Sequence, residues 1–231
     1  MTGPGVVRRV AGRVRTQARE RVRSAYYAVG RDLPGSDRVE ARVRRWEAGR
    51  GDVPKPKEAW NEQYAAGGWD YLSGIGELSH YSVIVGYAQH LRPGGSVLDV
   101  GCGSGVLHDR LRAVGYAHYT GVDISDEAVA ALRRHDWADA EFVVADADGF
   151  EPGRSYDVVV LNESLTYFPD PEATFRRCLA IAEDGIVIVS CHEQSARARG
   201  ILRGLVARHD VLDETVVRQG PSSWRCVVFR G

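Results

Sequence analysis

Hydrophobic and polar positions along the chain change period repeatedly. From residue 97 onward, short apolar runs alternate with stretches of helical spacing. Val97-Leu98-Asp99-Val100 has the β-branched character of a buried strand. Val106, Leu107, Leu111 and Val114 then recur at helical spacing and Gly115 ends the pattern, which predicts a helix over 105–114. The alternation continues. A strand at 118–122 precedes a helix at 126–135, with Ser125 as N-cap and Asp126 and Glu127 at the positive end of its dipole. Strands follow at 141–145 and 156–161. Asp170 and Pro171 open a helix carrying Phe175, Leu179 and Ala182. A strand at 185–190 leads to a helix near 194–208. The runs 210–217 and 224–229 flank Gln219-Gly220-Pro221-Ser222-Ser223 and predict a closing antiparallel hairpin. This is an α/β pattern: a seven-stranded, mostly parallel sheet with a terminal antiparallel hairpin and helices on both faces.

Upstream of the first strand the pattern is helical. Leu78, Tyr81, Ile84, Val85, Ala88 and Leu91 share a face and predict a helix over 77–91, stopped by Pro93-Gly94-Gly95. Residues 58–68 read as a helix with Trp60 and Tyr64 four apart, ended by Gly67-Gly68. Val6, Val10, Val14, Ala18, Val22 and Tyr26 recur every four residues among arginines and predict a basic amphipathic helix over 6–29. Such a helix suits a partner or an anionic surface; an arm that is solvated or packed on its own domain accounts for the same pattern. Residues 30–57 hold a turn at Leu33-Pro34-Gly35-Ser36, a short charged helix at 37–48 and a Pro-rich linker at 49–57. The domain boundary therefore falls near 57, separating a helical N-terminal extension from an α/β domain at 58–231.

Composition adds an asymmetry. The whole chain carries a net charge of −1. Residues 1–57 hold 13 Arg and 2 Lys against 6 acids, so the α/β domain is strongly acidic. A nucleic-acid partner is not indicated for the chain as a whole. The four cysteines, Cys102, Cys178, Cys191 and Cys226, form no C-x-x-C pair, so a structural zinc site is not expected. No apolar stretch reaches the roughly 18 residues of a membrane span. The start has charge but no apolar core of a signal peptide. The reading is a reduced, cytoplasmic protein with no transmembrane segment.

Candidate chemistry begins at the first strand. Asp99 precedes a loop with glycines at 101, 103 and 105, and glycine lets a ligand approach backbone closely. Asp123 ends the next strand and Asp146 follows the third. Three acids at the ends of successive strands line one rim of a parallel sheet, where ligands bind. The segments VLDVGCGSG, VDIS and ADA resemble the motifs of class I S-adenosylmethionine-dependent methyltransferases, over about residues 58–231. Dinucleotide-binding oxidoreductases favour G-x-G-x-x-G, and here the third glycine comes one residue early.

The resemblance implies a Rossmann-like fold and S-adenosylmethionine as methyl donor, with S-adenosylhomocysteine as product and no metal. Gly101, Cys102, Gly103 and Gly105 would take the donor's amino-acid end against backbone. Asp99 would orient the loop or accept from the ammonium. Asp123 would take both ribose hydroxyls. Asp146 and the Ala147 N–H would read the adenine edge, with Ile124 on its face. Residues 58–92 would supply a lid and pre-strand helices, with Tyr64 and Trp69 at the methionine end or the substrate.

The fourth strand opens onto Asn162-Glu163-Ser164-Leu165-Thr166-Tyr167, which looks like the corresponding stretch of small-molecule methyltransferases, including those acting on sugars and amino sugars. Asn162 would flank the donor. Glu163 and His192 are the candidate bases on the rim, with His80 a third if the lid folds over. Glu163 also suits a substrate ammonium or a turn cap. His108 is expected to face solvent. The implied reaction is methyl transfer to O or N of a small-molecule acceptor such as a glycan, amino sugar or secondary metabolite. The alternatives are a macromolecule (RNA or protein) methylated with help from the basic arm, or a non-catalytic scaffold.

Overall fold

The computed structural model describes residues 53–220 and 222–231. The basic helix expected over 6–29, the charged helix over 37–48 and the start of the linker lie outside them.

Seven strands form one sheet: β1 (Val97–Val100), β2 (Tyr119–Asp123), β3 (Ala140–Val144), β4 (Val158–Asn162), β5 (Ile186–His192), β6 (Val211–Gln219) and β7 (Ser222–Arg230). Their order is β3-β2-β1-β4-β5-β7-β6. The first five run parallel, and β7 pairs antiparallel with both β5 and β6. The chain leaves β1 in one direction towards β2 and β3, then returns to place β4 on its other side. That reversal is the topological switch point, and it opens a crevice beyond the carboxyl ends of the strands.

Six helices complete the described residues: α1 (Lys57–Ala65), α2 (Leu78–Leu91), α3 (Val106–Arg112), α4 (Asp126–Leu132), α5 (Pro171–Ile181) and α6 (Ala196–Val206). The strands of the sheet centre are buried at every position from 97 to 100 and from 158 to 161, because helices cover both faces. One core joins Leu98, Val159 and Val187 to Phe175 of α5 and Leu202 of α6. The other joins Val97, Val158 and Ile188 to Ile84 of α2, Leu107 of α3 and Val129 of α4. Two expected caps form: Ser125 Oγ accepts from Ala128 N at 3.3 Å, and Asp170 Oδ1 accepts from Ala173 N at 3.0 Å.

Two expectations fail in α3. It stops at Arg112, so Val114 lies beyond it and is 51% exposed. His108 is fully buried, not solvent-facing: its Nε2 pairs with Tyr116 Oη at 2.8 Å, and its ring lies against Tyr119, Trp137 and Phe142. The hairpin strands are also longer than their apolar runs. The pairing Gln219↔Ser222 leaves only two residues between them.

A candidate donor and acceptor cavity at the switch point

The site is built on the turn after β1. Gly101 N and Cys102 N both donate to Val122 O of β2, at 2.8 and 3.0 Å, which folds the loop back over the sheet edge. Gly103 takes φ +53°. Its N–H donates to Asp123 Oδ2 at 2.9 Å, while Asp123 Oδ1 accepts from Ser125 N at 2.8 Å. Asp123 therefore organises the glycine loop, a task expected of Asp99. Asp99 instead accepts from the Tyr119 hydroxyl at 2.6 Å.

Burial pushes the Asp99 carboxyl up to about 7, with the Tyr119 bond working against that rise and Asp123 adding to it. Asp123 is raised too, chiefly by burial, and its backbone N–H bonds hold it down. Asp146 is exposed at the end of the third strand's loop, with Oδ1 accepting from Asp148 N at 3.0 Å.

α1 closes over this turn. Asn61 Oδ1 accepts from Ser125 Oγ at 2.8 Å, and Lys57 Nζ pairs with Asp126 at 2.8 Å. The docking brings Tyr64 over the glycine loop and Trp69 beside it, with Trp60 standing edge-on to Tyr167 at 4.8 Å. Burial drives the Tyr64 phenol well above its ordinary range, with Asp123 adding to the rise.

The result is one cavity of about 340 Å³. On its β1–β3 side lie Asp99, Gly101, Cys102, Gly103, Asp123, Ile124, Asp146 and Ala147. On its β4–β5 side lie Asn162, Glu163 and His192, and Tyr64 and Trp69 roof it. Gly105 is off the lining: it opens α3 in a left-handed conformation against Leu132. His80 is also off it, fully buried behind Trp224, whose ring it stacks on at 4.5 Å. Burial lowers His80 to about 3, so it sits there neutral.

Sequence reasoning missed several lining residues. Trp224, on the β7 strand paired with His192, stands edge-on to that imidazole at 5.4 Å. Glu77 and Tyr81 line the cavity from the α2 side. A tryptophan in a terminal strand carries no motif; only the register β5↔β7 brings it to the rim. Glu163 holds φ +57°, and its N–H donates to Ser190 O at 2.8 Å. A non-glycine residue in that region is uncommon and costly, and such residues cluster at functional sites.

A family model described as a methyltransferase domain matches residues 77–215. The chain belongs to this methyltransferase family. The ubiquinone biosynthesis O-methyltransferase of Neisseria meningitidis is 32% identical over 140 residues, covering 57% of each chain. That of Nitrosomonas europaea is 35% identical over 95 residues, covering 39% of this chain and 40% of its own. The chain thus spans about two fifths to three fifths of the curated relatives it matches. Among solved structures, the N-methyltransferase NodS of Bradyrhizobium japonicum with bound S-adenosylhomocysteine superimposes with TM-score 0.65 at 15% identity. The match covers 76% of this chain and 97% of that one. The 1,6-didemethyltoxoflavin-N1-methyltransferase of Burkholderia thailandensis gives TM-score 0.60 at 18% identity, over 75% of this chain and 86% of that one. These likenesses establish the class I fold of the methyltransferase domain.

The residues present fit the methyl donor that the family implies. The cavity sits at the switch point, its glycine loop leaves backbone open to a ligand, and Asn162 Oδ1 is buried there without a hydrogen-bond partner. Among the described residues no group of three or more His, Cys, Asp and Glu stands close enough to hold a metal. No helix among them is long and apolar enough to cross a membrane.

Proposed function

We propose that this chain transfers the methyl group of S-adenosylmethionine to an oxygen or nitrogen of a small-molecule acceptor. One observation carries the reading: a single cavity joins the acids of β1 to β3 to Glu163 and His192 beyond β4 and β5. The donor's sulfonium supplies an electrophilic methyl carbon when bound. Asp123 would accept from the ribose hydroxyls with the lone pairs its two backbone bonds leave over, and Asp146 and Ala147 would read the adenine with Ile124 on its face. Asp99 would take the ammonium, and Asn162 Oδ1 would find its missing donor in the ligand.

Tyr64 and Trp69 would exclude water above the reacting centre and hold it in line, the larger share of the acceleration for such a displacement. Glu163 and His192 are the residues placed to take a proton from a hydroxyl acceptor. An amine that arrives unprotonated needs only positioning. The names borne by the curated relatives make hydroxylated acceptors the first to screen, with glycans, amino sugars and secondary metabolites following. We place the reaction in a reducing, cytoplasmic compartment, which the four free, buried thiols support. The basic N-terminal segment is kept for a partner or an anionic surface rather than for the acceptor.

Calorimetric titration with S-adenosylmethionine and S-adenosylhomocysteine, on wild type and Asp123→Asn, tests the donor half. A lost bond to a charged group costs about 1.5–3 kcal/mol, so affinity falls roughly 10–100-fold in the variant. A folded wild type that binds neither compound overturns the reading. Transfer of labelled methyl to a panel of phenols, sugars and amines then identifies the acceptor.

A further inference from the structure

The bond between Tyr119 and Asp99 crosses two strands diagonally. Tyr119 lies opposite Val97, and Asp99 opposite Gly121, two residues further along. The phenol thus reaches a carboxylate two residues along the neighbouring parallel strand. Gly121 lies opposite Asp99, and a Cβ there would stand 2.8 Å from the Phe142 ring and 2.9 Å from Cys102 Sγ, so the packing beside the pair admits no side chain at 121. The Tyr119 ring is clamped by His108 at 4.8 Å and Phe142 at 5.8 Å between centroids, which fixes the aim of its hydroxyl. Tyr119 is 0% exposed and Asp99 2%. A Phe–Val pair would fill such a core without the desolvation cost of a phenol and a carboxylate. The pair instead touches the cavity through Asp99.

We propose that Tyr119 is a positioning residue for the methyl donor: its phenol holds Oδ2 of Asp99 and so presents Oδ1 to the cavity as the counter-charge for the donor's ammonium. The inference rests on the donor-binding reading above and assigns to β2 a role its motif does not contain.

The surroundings explain why a donor to Asp99 matters. The titratable groups that face it are Asp123 at the end of β2, Cys102 in the glycine loop, Tyr81 on α2 and Tyr119 itself. None is a cation, so the phenol is the group that favours the ionised carboxylate against burial. With Asp99 titrating at about 7, its charge is present on the alkaline side of neutrality and lost below it. Removing the phenol moves that titration upward.

The test is calorimetric titration of the full chain with S-adenosylhomocysteine between about pH 6 and pH 9, on wild type and Tyr119→Phe. Wild-type affinity should fall on the acid side with a midpoint near neutrality. Tyr119→Phe should bind roughly fivefold more weakly at neutral pH, its midpoint raised by about one unit, and regain wild-type affinity near the alkaline end. A uniform loss at every pH, or no loss, overturns the proposal, since a merely structural ring would not move the midpoint. Should Tyr119→Phe not fold, 3-fluorotyrosine placed at 119 keeps the shape and donates more strongly. Its midpoint should fall, and an unmoved midpoint overturns the proposal. Absence of binding by folded wild type at every pH removes the donor-binding reading, whereas normal wild-type binding with unchanged variants removes this inference alone.

Discussion

The phenol oxygen of Tyr64 lies 2.6 Å from where a Cβ on Gly103 would stand. The roof helix and the glycine loop are therefore fitted to each other at one point, and the fit needs a residue without a side chain. Gly103 also holds φ +53° and gives its N–H to Asp123.

Gly103→Ala should then act on two levels. A left-handed non-glycine residue costs about 1–2 kcal/mol, which lowers the melting temperature by roughly 2–8 °C for a domain of this size. The methyl group must also push the Tyr64 ring off the loop, so the fall in S-adenosylhomocysteine affinity should exceed the stability loss, reaching about tenfold or more. Calorimetry beside a thermal melt separates the two. Wild-type affinity in a destabilised variant would mean that the roof contact does not shape the site.

Much of this arrangement is legible in the chain. Val97 to Val100 and Val158 to Leu161 read as strands because buried parallel strands are continuous apolar runs. Asp99, Asp123 and Asp146 read as rim residues because each stands at or near the end of such a run. What each acid holds is not legible: the division of labour between Asp99 and Asp123 depends on the register that sets Tyr119 diagonal to Asp99. His108 is buried where its helical position predicts solvent, for a related reason. Helical spacing marks which residues share a face, but the wall of Tyr119, Trp137 and Phe142 that receives His108 comes from β2, β3 and the loop between α4 and β3. Trp224 reaches the cavity through the register of β7 on β5, which the hairpin pattern at 210–229 does not announce.

Glu163 offers a cleaner separation of backbone from side chain. It sits at φ +57° with its N–H on Ser190 O, so the backbone is committed whatever the side chain does. Glu163→Gly keeps that conformation and relieves about 1–3 kcal/mol of strain. The expected result is a melting temperature equal to or a few degrees above wild type, donor affinity within roughly threefold, and methyl transfer reduced by about 10²–10⁴-fold. Glu163→Gln should lose transfer to a similar degree without the gain in stability. Unimpaired transfer in both variants would remove the carboxylate from the chemistry and leave Glu163 as a turn residue.

His80 bears on stability against pH. Its ring stacks on Trp224, both nitrogens are buried without hydrogen bonds, and Nδ1 stands 4.0 Å from Glu77 Oε2. Burial, with His192 adding to it, lowers its pKa from 6.5 to about 3. Between those values the unfolded chain binds the proton and the folded chain does not, so stability falls as pH drops below the unfolded value. At pH 5 the loss is about 2 kcal/mol. Buried His108, lowered to about 4, acts with the same sign, so part of the acid slope persists without His80. His80→Phe keeps a flat ring against Trp224 and cannot titrate. Its melting temperature at pH 7 should stay near wild type, and its drop between pH 7 and pH 5 should shrink by roughly 4–8 °C. An unchanged acid slope would mean that the imidazole finds a proton-stabilising partner in the folded chain, and that Glu77 moves in to supply it.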